Sequence, residues 1–213
     1  SPDSNRYLVT YSYPTWGVWY VYYVVVDGDR TNPNPVLSSG VLDSDALSDI
    51  VVYNSVTQKF LVVYTKDLAP PRRADIYGAR LSANGVPEAV FAIETSVDNQ
   101  QQAQIAYSDS TNTFMLVYED FRTQQADATG AILNGDGSMI SRFGISETNG
   151  WDVPGPVTYN SATKTFIATW RIAYSDYHLE HYAREYKPAD GTPNAPKVLI
   201  TTKDIGLVSA DSR

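Results

Sequence analysis

The sequence predicts an all-β fold, a four-bladed β-propeller whose blades are four-stranded antiparallel sheets, and three observations carry that prediction. A strand–turn–strand unit recurs three times, its tyrosines Tyr53, Tyr107 and Tyr159 standing 54 and 52 residues apart. A third strand ending in a Gly turn and then a fourth strand follow, which is the strand content of a propeller blade. The two ends of the chain hold complementary pieces of one further unit.

Taken in order, the chain enters at Tyr7-Leu-Val-Thr-Tyr11, which aligns with Phe60-Leu-Val-Val-Tyr64 and therefore reads as a second strand. The apolar run from Val18 to Val26 is strand-sized, and Asp27-Gly-Asp-Arg30 is read as the Gly turn after it, because it lacks the remaining positions of a calcium loop. Three first-and-second-strand pairs follow, over Ile50 to Tyr64, Gln104 to Tyr118 and Pro156 to Trp170, with Phe60, Phe114 and Phe166 in register. Third strands run from Asp75 to Gly85 and from Asp127 to Gly137, and Ala89 to Thr95 is a fourth strand. At the far end Asp204-Ile-Gly-Leu-Val-Ser209 matches Asp49-Ile-Val-Val-Tyr-Asn54, a first strand with no second strand after it. Pairing it with the strand at Tyr7 completes one blade from both termini and protects an open edge. The expected layout is one domain over 1–213: blade 1 from 204–213 plus 1–39, blade 2 from 49–96, blade 3 from 103–147 and blade 4 from 155–202.

Composition agrees and narrows the function. Of 213 residues 43% are hydrophobic and 16 are Tyr, which favours strands over disorder. A formal charge of -8 repels phosphate backbones and anionic membranes, so nucleic acid is not an expected partner and no run is long enough to cross a bilayer. The absence of Cys removes disulfides, thiolate metal sites and a Cys nucleophile together.

The pattern Val-x-Tyr-Asn-Ser, Phe-Leu-Val-Val-Tyr and Asp-Ile-Tyr-Gly-Ala-Arg-Leu-x-x-Asn-Gly, best kept between Val51 and Gly85, resembles a repeat of large extracellular bacterial and archaeal β-propeller proteins. That resemblance implies the fold and a secreted or cell-surface setting, and no activity. Four-blade closure is similar to the hemopexin-type architecture in form alone, since no sequence motif of that family is present.

The turns between first and second strands barely change, as in Asn54 to Lys59, Ser108 to Thr113 and Asn160 to Thr165, so they read as turn chemistry. The loops at the opposite ends of the blades vary freely, and variable loops on a rigid scaffold are where binding is expected. They hold Trp16, Trp19, Arg72, Arg73, Asp120, Arg122, Trp151, Asp152, Tyr174 and Tyr177, aromatic faces beside polar groups that suit sugars. The expected function is a lectin-like, carbohydrate-binding protein that is not an enzyme. The alternatives are an adhesive module for an extracellular protein partner and a glycan-cleaving enzyme with two converging carboxylates. The one adjacent acidic pair at a second-strand end is Glu119-Asp120, whose side chains alternate faces. First strands line the central channel, and at their mouth Asp49 and Asp204 are candidate ligands for a hard cation such as Ca²⁺. His178 and His181, three apart on one strand, fall on opposite faces and do not share a metal.

Overall fold

A computed structural model describes residues 5–68, 73–174 and 178–204, excluding the side chains of Leu68 and Asp204. Among these residues fifteen strands lie in four antiparallel sheets. Blade 1 is β1 (Arg6–Thr15), β2 (Val18–Asp27) and β3 (Val36–Ser44). Blade 2 is β4 (Ala46–Asn54), β5 (Lys59–Leu68), β6 (Arg73–Ser82) and β7 (Pro87–Glu94). Blade 3 is β8 (Gln100–Ser108), β9 (Thr113–Asp120), β10 (Asp127–Asn134) and β11 (Met139–Ser146). Blade 4 is β12 (Trp151–Asn160), β13 (Thr165–Ala173), β14 (His178–Tyr186) and β15 (Val198–Asp204). Strands within each sheet follow chain order, the up-and-down meander of a blade.

The blades stack face to face through their second strands. In β5, Phe60, Val62 and Tyr64 pack toward blade 1, and Leu61 and Val63 toward blade 3. In β9, Phe114, Leu116 and Tyr118 face blade 2, and Met115 and Val117 face blade 4. Every residue of β9 is buried, so the strand is apolar on both faces instead of alternating with polar residues. Burial on this scale, at roughly 25 cal/mol per Å² of apolar surface, is what joins the sheets.

Blade 1 enters at its second strand. Asn5 has the left-handed φ of +47° that Gln58, Asn112 and Lys164 show just before β5, β9 and β13. β1 lies against β4 as β5 lies against β8 and β9 against β12. The expected closing strand over 204–209 lies outside the described residues except for Asp204, whose backbone pairs with His178 at the end of β15.

Four boundaries differ from expectation. Blades 2, 3 and 4 start at Ala46, Gln100 and Trp151, three or four residues before the positions the repeat marks. The reason is a bulge repeated in each first strand, at Leu47/Ile50, Gln101/Gln104 and Pro154/Val157. Pairing continues on its far side, where the sequence is polar and reads as loop. Likewise β3 stays paired with β2 as far as Ser44, beyond the end of blade 1 expected at residue 39.

Candidate functional site

The bulges shape one end of the first strands. Ser48 and Gln102 sit in them with φ of +57° and +55°, a left-handed conformation that costs a side-chain-bearing residue energy and clusters at functional sites. Gln102 borders three cavities, of 540, 720 and 360 Å³. The first lies between blades 2 and 3 and is also lined by Asp49, Thr65, Gln101 and Gln104. The second, between blades 3 and 4, is lined by Glu119, Gln125, Trp151, Arg171 and Tyr174 among others. The third runs over blade 4 past Gly155, Thr169 and His181. These volumes are those of small-ligand sites.

One residue beyond the aromatic that ends each repeat of the second strand, every blade carries a different polar group. Tyr11, Tyr64, Tyr118 and Trp170 are followed by Ser12, Thr65, Glu119 and Arg171. Continuing the alternation of Met115 and Val117, Glu119 faces blade 4. Its carboxyl is 1% exposed and accepts the amide N–H of Gln101 at 2.9 Å and of Gln102 at 3.1 Å. Burial pushes its pKa up, against the lowering pull of Gln101, Arg171 and the Trp151 indole N–H. The result is a carboxyl biased toward its protonated form, facing a cavity: the arrangement of a general acid. Across Gln102, half-buried Asp49 borders the neighbouring cavity and accepts a hydrogen bond from Ser12 Oγ at 2.5 Å. Trp151, 54% exposed and set edge-on against Phe121 at 5.9 Å, supplies an apolar wall. Tyr174 donates to Glu180 at 3.0 Å; desolvation and that bond push its pKa up to about 12.

The residues expected at the loop face thus separate. Trp151 and Tyr174 line the cavity that holds Glu119, while Asp49, expected as a cation ligand and not at the loop face, lines its neighbour. Asp120 and Arg122 do not: Asp120 points the other way along β9, and Arg122 joins Glu94 at 2.7 Å and Asp120 at 3.3 Å in an ionic brace between blades 2 and 3. Asp152 is fully buried and ties the Thr148 backbone and hydroxyl at 2.8 and 2.7 Å, so it holds a loop. Arg73 donates to the Ser96 carbonyl at 3.2 Å, pinning the loop between blades. Trp16 occupies the tip of the β1–β2 hairpin, where it and Gly17 take positive φ, and is 99% exposed; Trp19, also in that hairpin, is 44% exposed. Arg72 and Tyr177 lie outside the described residues. Asp204, expected at the channel mouth, has its backbone on the outer strand of blade 4. Among the described residues no three His, Asp or Glu side chains converge on a cation position.

Glu119, Gln101, Gln102 and Arg171 are absent from the residues expected to bind. The signal that finds them is the variable position after each second-strand aromatic, together with the doubled glutamines at the bulge.

The chain matches no protein-family model and no curated protein sequence. Its fold is similar to that of a Hadza microbial sialidase, with a TM-score of 0.54 and 10% identity over 84% of this chain and 45% of the sialidase. The chain therefore spans less than half the length of that enzyme. A thermostable family-43 glycoside hydrolase aligns with a TM-score of 0.49 and 11% identity, over 89% of this chain and 70% of the hydrolase. An exo-beta-1,3-galactanase from Phanerochaete chrysosporium aligns with a TM-score of 0.48 and 10% identity, over 92% and 49%. These identities speak to fold, here an array of propeller-like blades. Two expectations give way nevertheless, that the protein is a lectin-like binder and that it is not an enzyme. The solved structure that aligns above a TM-score of 0.5 is named as a sialidase, and that likeness turns the reading away from both.

Proposed function

We propose that this protein is a glycan-cleaving hydrolase that works at the channel mouth, with Glu119 as general acid and Asp49 as the second carboxylate. The observation that carries this reading is the buried, upward-shifted Glu119 in a 720 Å³ cavity beside Trp151 and Arg171. Glu119 gives its proton to the glycosidic oxygen as the carbon–oxygen bond breaks. Water then supplies the hydroxyl at the anomeric carbon, either directly with Asp49 as base or through a covalent ester of Asp49, and the anomer released distinguishes the two. Trp151 offers a face for the C–H side of a sugar ring. Polymeric substrates suit the extracellular setting that the repeat resemblance implies.

The test is turnover of a panel of soluble polysaccharides and 4-nitrophenyl glycosides by the wild-type chain, followed by proton NMR of the first product anomer. Cleavage that is lost in both Glu119→Gln and Asp49→Asn supports the assignment; cleavage that survives both overturns it.

The same reading includes ring closure by pairing of 204–209 with β1. A repeated clasp favours it: Tyr64 of blade 2 donates to Asp43 of blade 1 at 2.9 Å, and Tyr118 of blade 3 donates to Glu94 of blade 2 at 3.1 Å. The equivalent tyrosine of blade 1 is Tyr11, stacked on Tyr22 at 5.2 Å as Tyr64 is on Tyr77 at 6.4 Å. Its counterpart acid at the end of the preceding fourth strand is Asp204. Deleting residues 205–213 is expected to lower the melting temperature by roughly 5 °C or more; an unchanged melting temperature refutes closure.

A further inference from the structure

The cavity between blades 2 and 3 contains a polar group that nothing in the fold employs. Thr65 lines this 540 Å³ space, is 3% exposed, and its Oγ1 has no hydrogen-bond partner among the described residues. Its direction follows from the strand: Leu61 and Val63 face blade 3, so Thr65 faces blade 3 too. Thr65 occupies in blade 2 the place that Glu119 occupies in blade 3 and Arg171 in blade 4. A buried hydroxyl left unpaired costs stability, and a valine in its place would remove that cost. The other groups around it, Asp49, Gln101 and Gln104, offer acceptors and amide donors on the same wall.

We propose that this cavity is a sugar subsite in which Thr65 Oγ1 recognises a ring hydroxyl. The substrate then spans both cavities, with its glycosidic bond over Gln102 between Glu119 and Asp49. This rests on the hydrolase reading and deepens it: the glycone sits against Thr65 and Asp49, and the leaving group lies toward Trp151. The substrate class is a neutral, hydroxyl-rich glycone, since Asp49 on the same wall would repel an acidic sugar.

The experiment uses the 4-nitrophenyl glycoside that the wild type cleaves best, with its monodeoxy analogues, against Thr65→Val and Thr65→Ser. Thr65→Val is expected to melt at or above the wild-type temperature and to lose about tenfold in kcat/KM. Thr65→Ser is expected to retain activity within about threefold, because it keeps the hydroxyl. One monodeoxy analogue, lacking the recognised hydroxyl, is expected to show no difference between wild type and Thr65→Val. Wild-type kcat/KM in a folded Thr65→Val overturns the subsite while leaving the hydrolase reading intact. Absence of turnover by the wild type on every glycoside overturns the hydrolase reading and the subsite with it.

Discussion

Replacing Glu119 by Gln removes one proton from the site while changing little else. The two amide hydrogen bonds at 2.9 and 3.1 Å converge on a single oxygen, Oε2, and the Gln carbonyl can take that place. The change in folding stability is therefore expected to stay within about 1 kcal/mol. The kinetic effect should be far larger. Loss of a general acid costs about 10²–10⁴ in rate, or roughly 3–5 kcal/mol of transition-state stabilisation. The size of that loss must depend on how much the leaving group needs the proton. For a sugar leaving group the full loss is expected; a 4-nitrophenyl glycoside should lose less, and for a 2,4-dinitrophenyl glycoside, which departs as a still more weakly basic phenolate, most of the rate should survive. The pH profile gives a second signature. Because burial raises the Glu119 pKa, the wild-type kcat/KM should decline on its alkaline side above the ordinary glutamate range near pH ~4.3, and the variant should lose that limb. Equal losses on these leaving groups, or an unchanged alkaline limb, would refute the assignment of Glu119 as the acid.

Three further outcomes follow from the same geometry. Arg122→Met strips the cation from Glu94 and Asp120, whose side chains are 10% and 7% exposed, and should cost about 3 kcal/mol, read as a lower urea midpoint at constant slope. Gly130→Ala places a Cβ 2.5 and 2.7 Å from the Phe143 ring and should destabilise by about 1–3 kcal/mol in the same assay. Buried Glu119 also links stability to pH: its folded state holds a proton that the unfolded chain releases near pH ~4.3, so this contribution is present below that pH and is lost as pH rises through the raised folded value. The melting temperature of Glu119→Gln should accordingly gain on wild type as pH rises from 4 to 7, and a constant difference would contradict it.

How far the sequence discloses this molecule depends on which physical signal each part leaves. The scaffold was legible because packing within each blade repeats: Tyr53, Tyr107 and Tyr159 lie tilted or edge-on against Phe60, Phe114 and Phe166 at 5.0, 5.1 and 5.4 Å, and a repeated contact leaves a repeated residue. The glycines of the third strands were legible for the same reason, since Gly78 and Gly130 make room for Phe91 and Phe143 opposite them. The site was legible only in part. Trp151 and Tyr174 stood out as loop aromatics, but Arg122 and Asp152 have the same surface-loop composition and serve as a brace and a loop tie. Composition cannot separate those cases, because the partners that satisfy them, Glu94 and Thr148, are fixed by the fold.

The bulges connect the repeated scaffold to an unrepeated site. Each first strand breaks register at the same height, yet the residues there differ: Ser48 and Asp49 in blade 2, Gln102 and Ala103 in blade 3, Gly155 and Pro156 in blade 4. Opposite them stand Ser12, Thr65, Glu119 and Arg171, again equivalent in backbone and different in chemistry. A ring of four identical sites would require these positions to match, and the packing does not force them to differ. Their divergence, against the near-identity of the turns at the other end, is what sets the proposed site at the bulge end of the first strands. It also explains why a single buried acid can form there: Glu119 is the one of the four with a carboxyl, and Gln101 and Gln102 are the bulge residues whose amides hold it. Substituting Gln102 by Gly should therefore relieve its left-handed φ of +55° and favour the fold locally, while loosening the hold on Glu119. A variant that turns over more slowly, with the relief of φ and the lost hydrogen bond to Glu119 opposing each other in its melting temperature, is the outcome this arrangement requires.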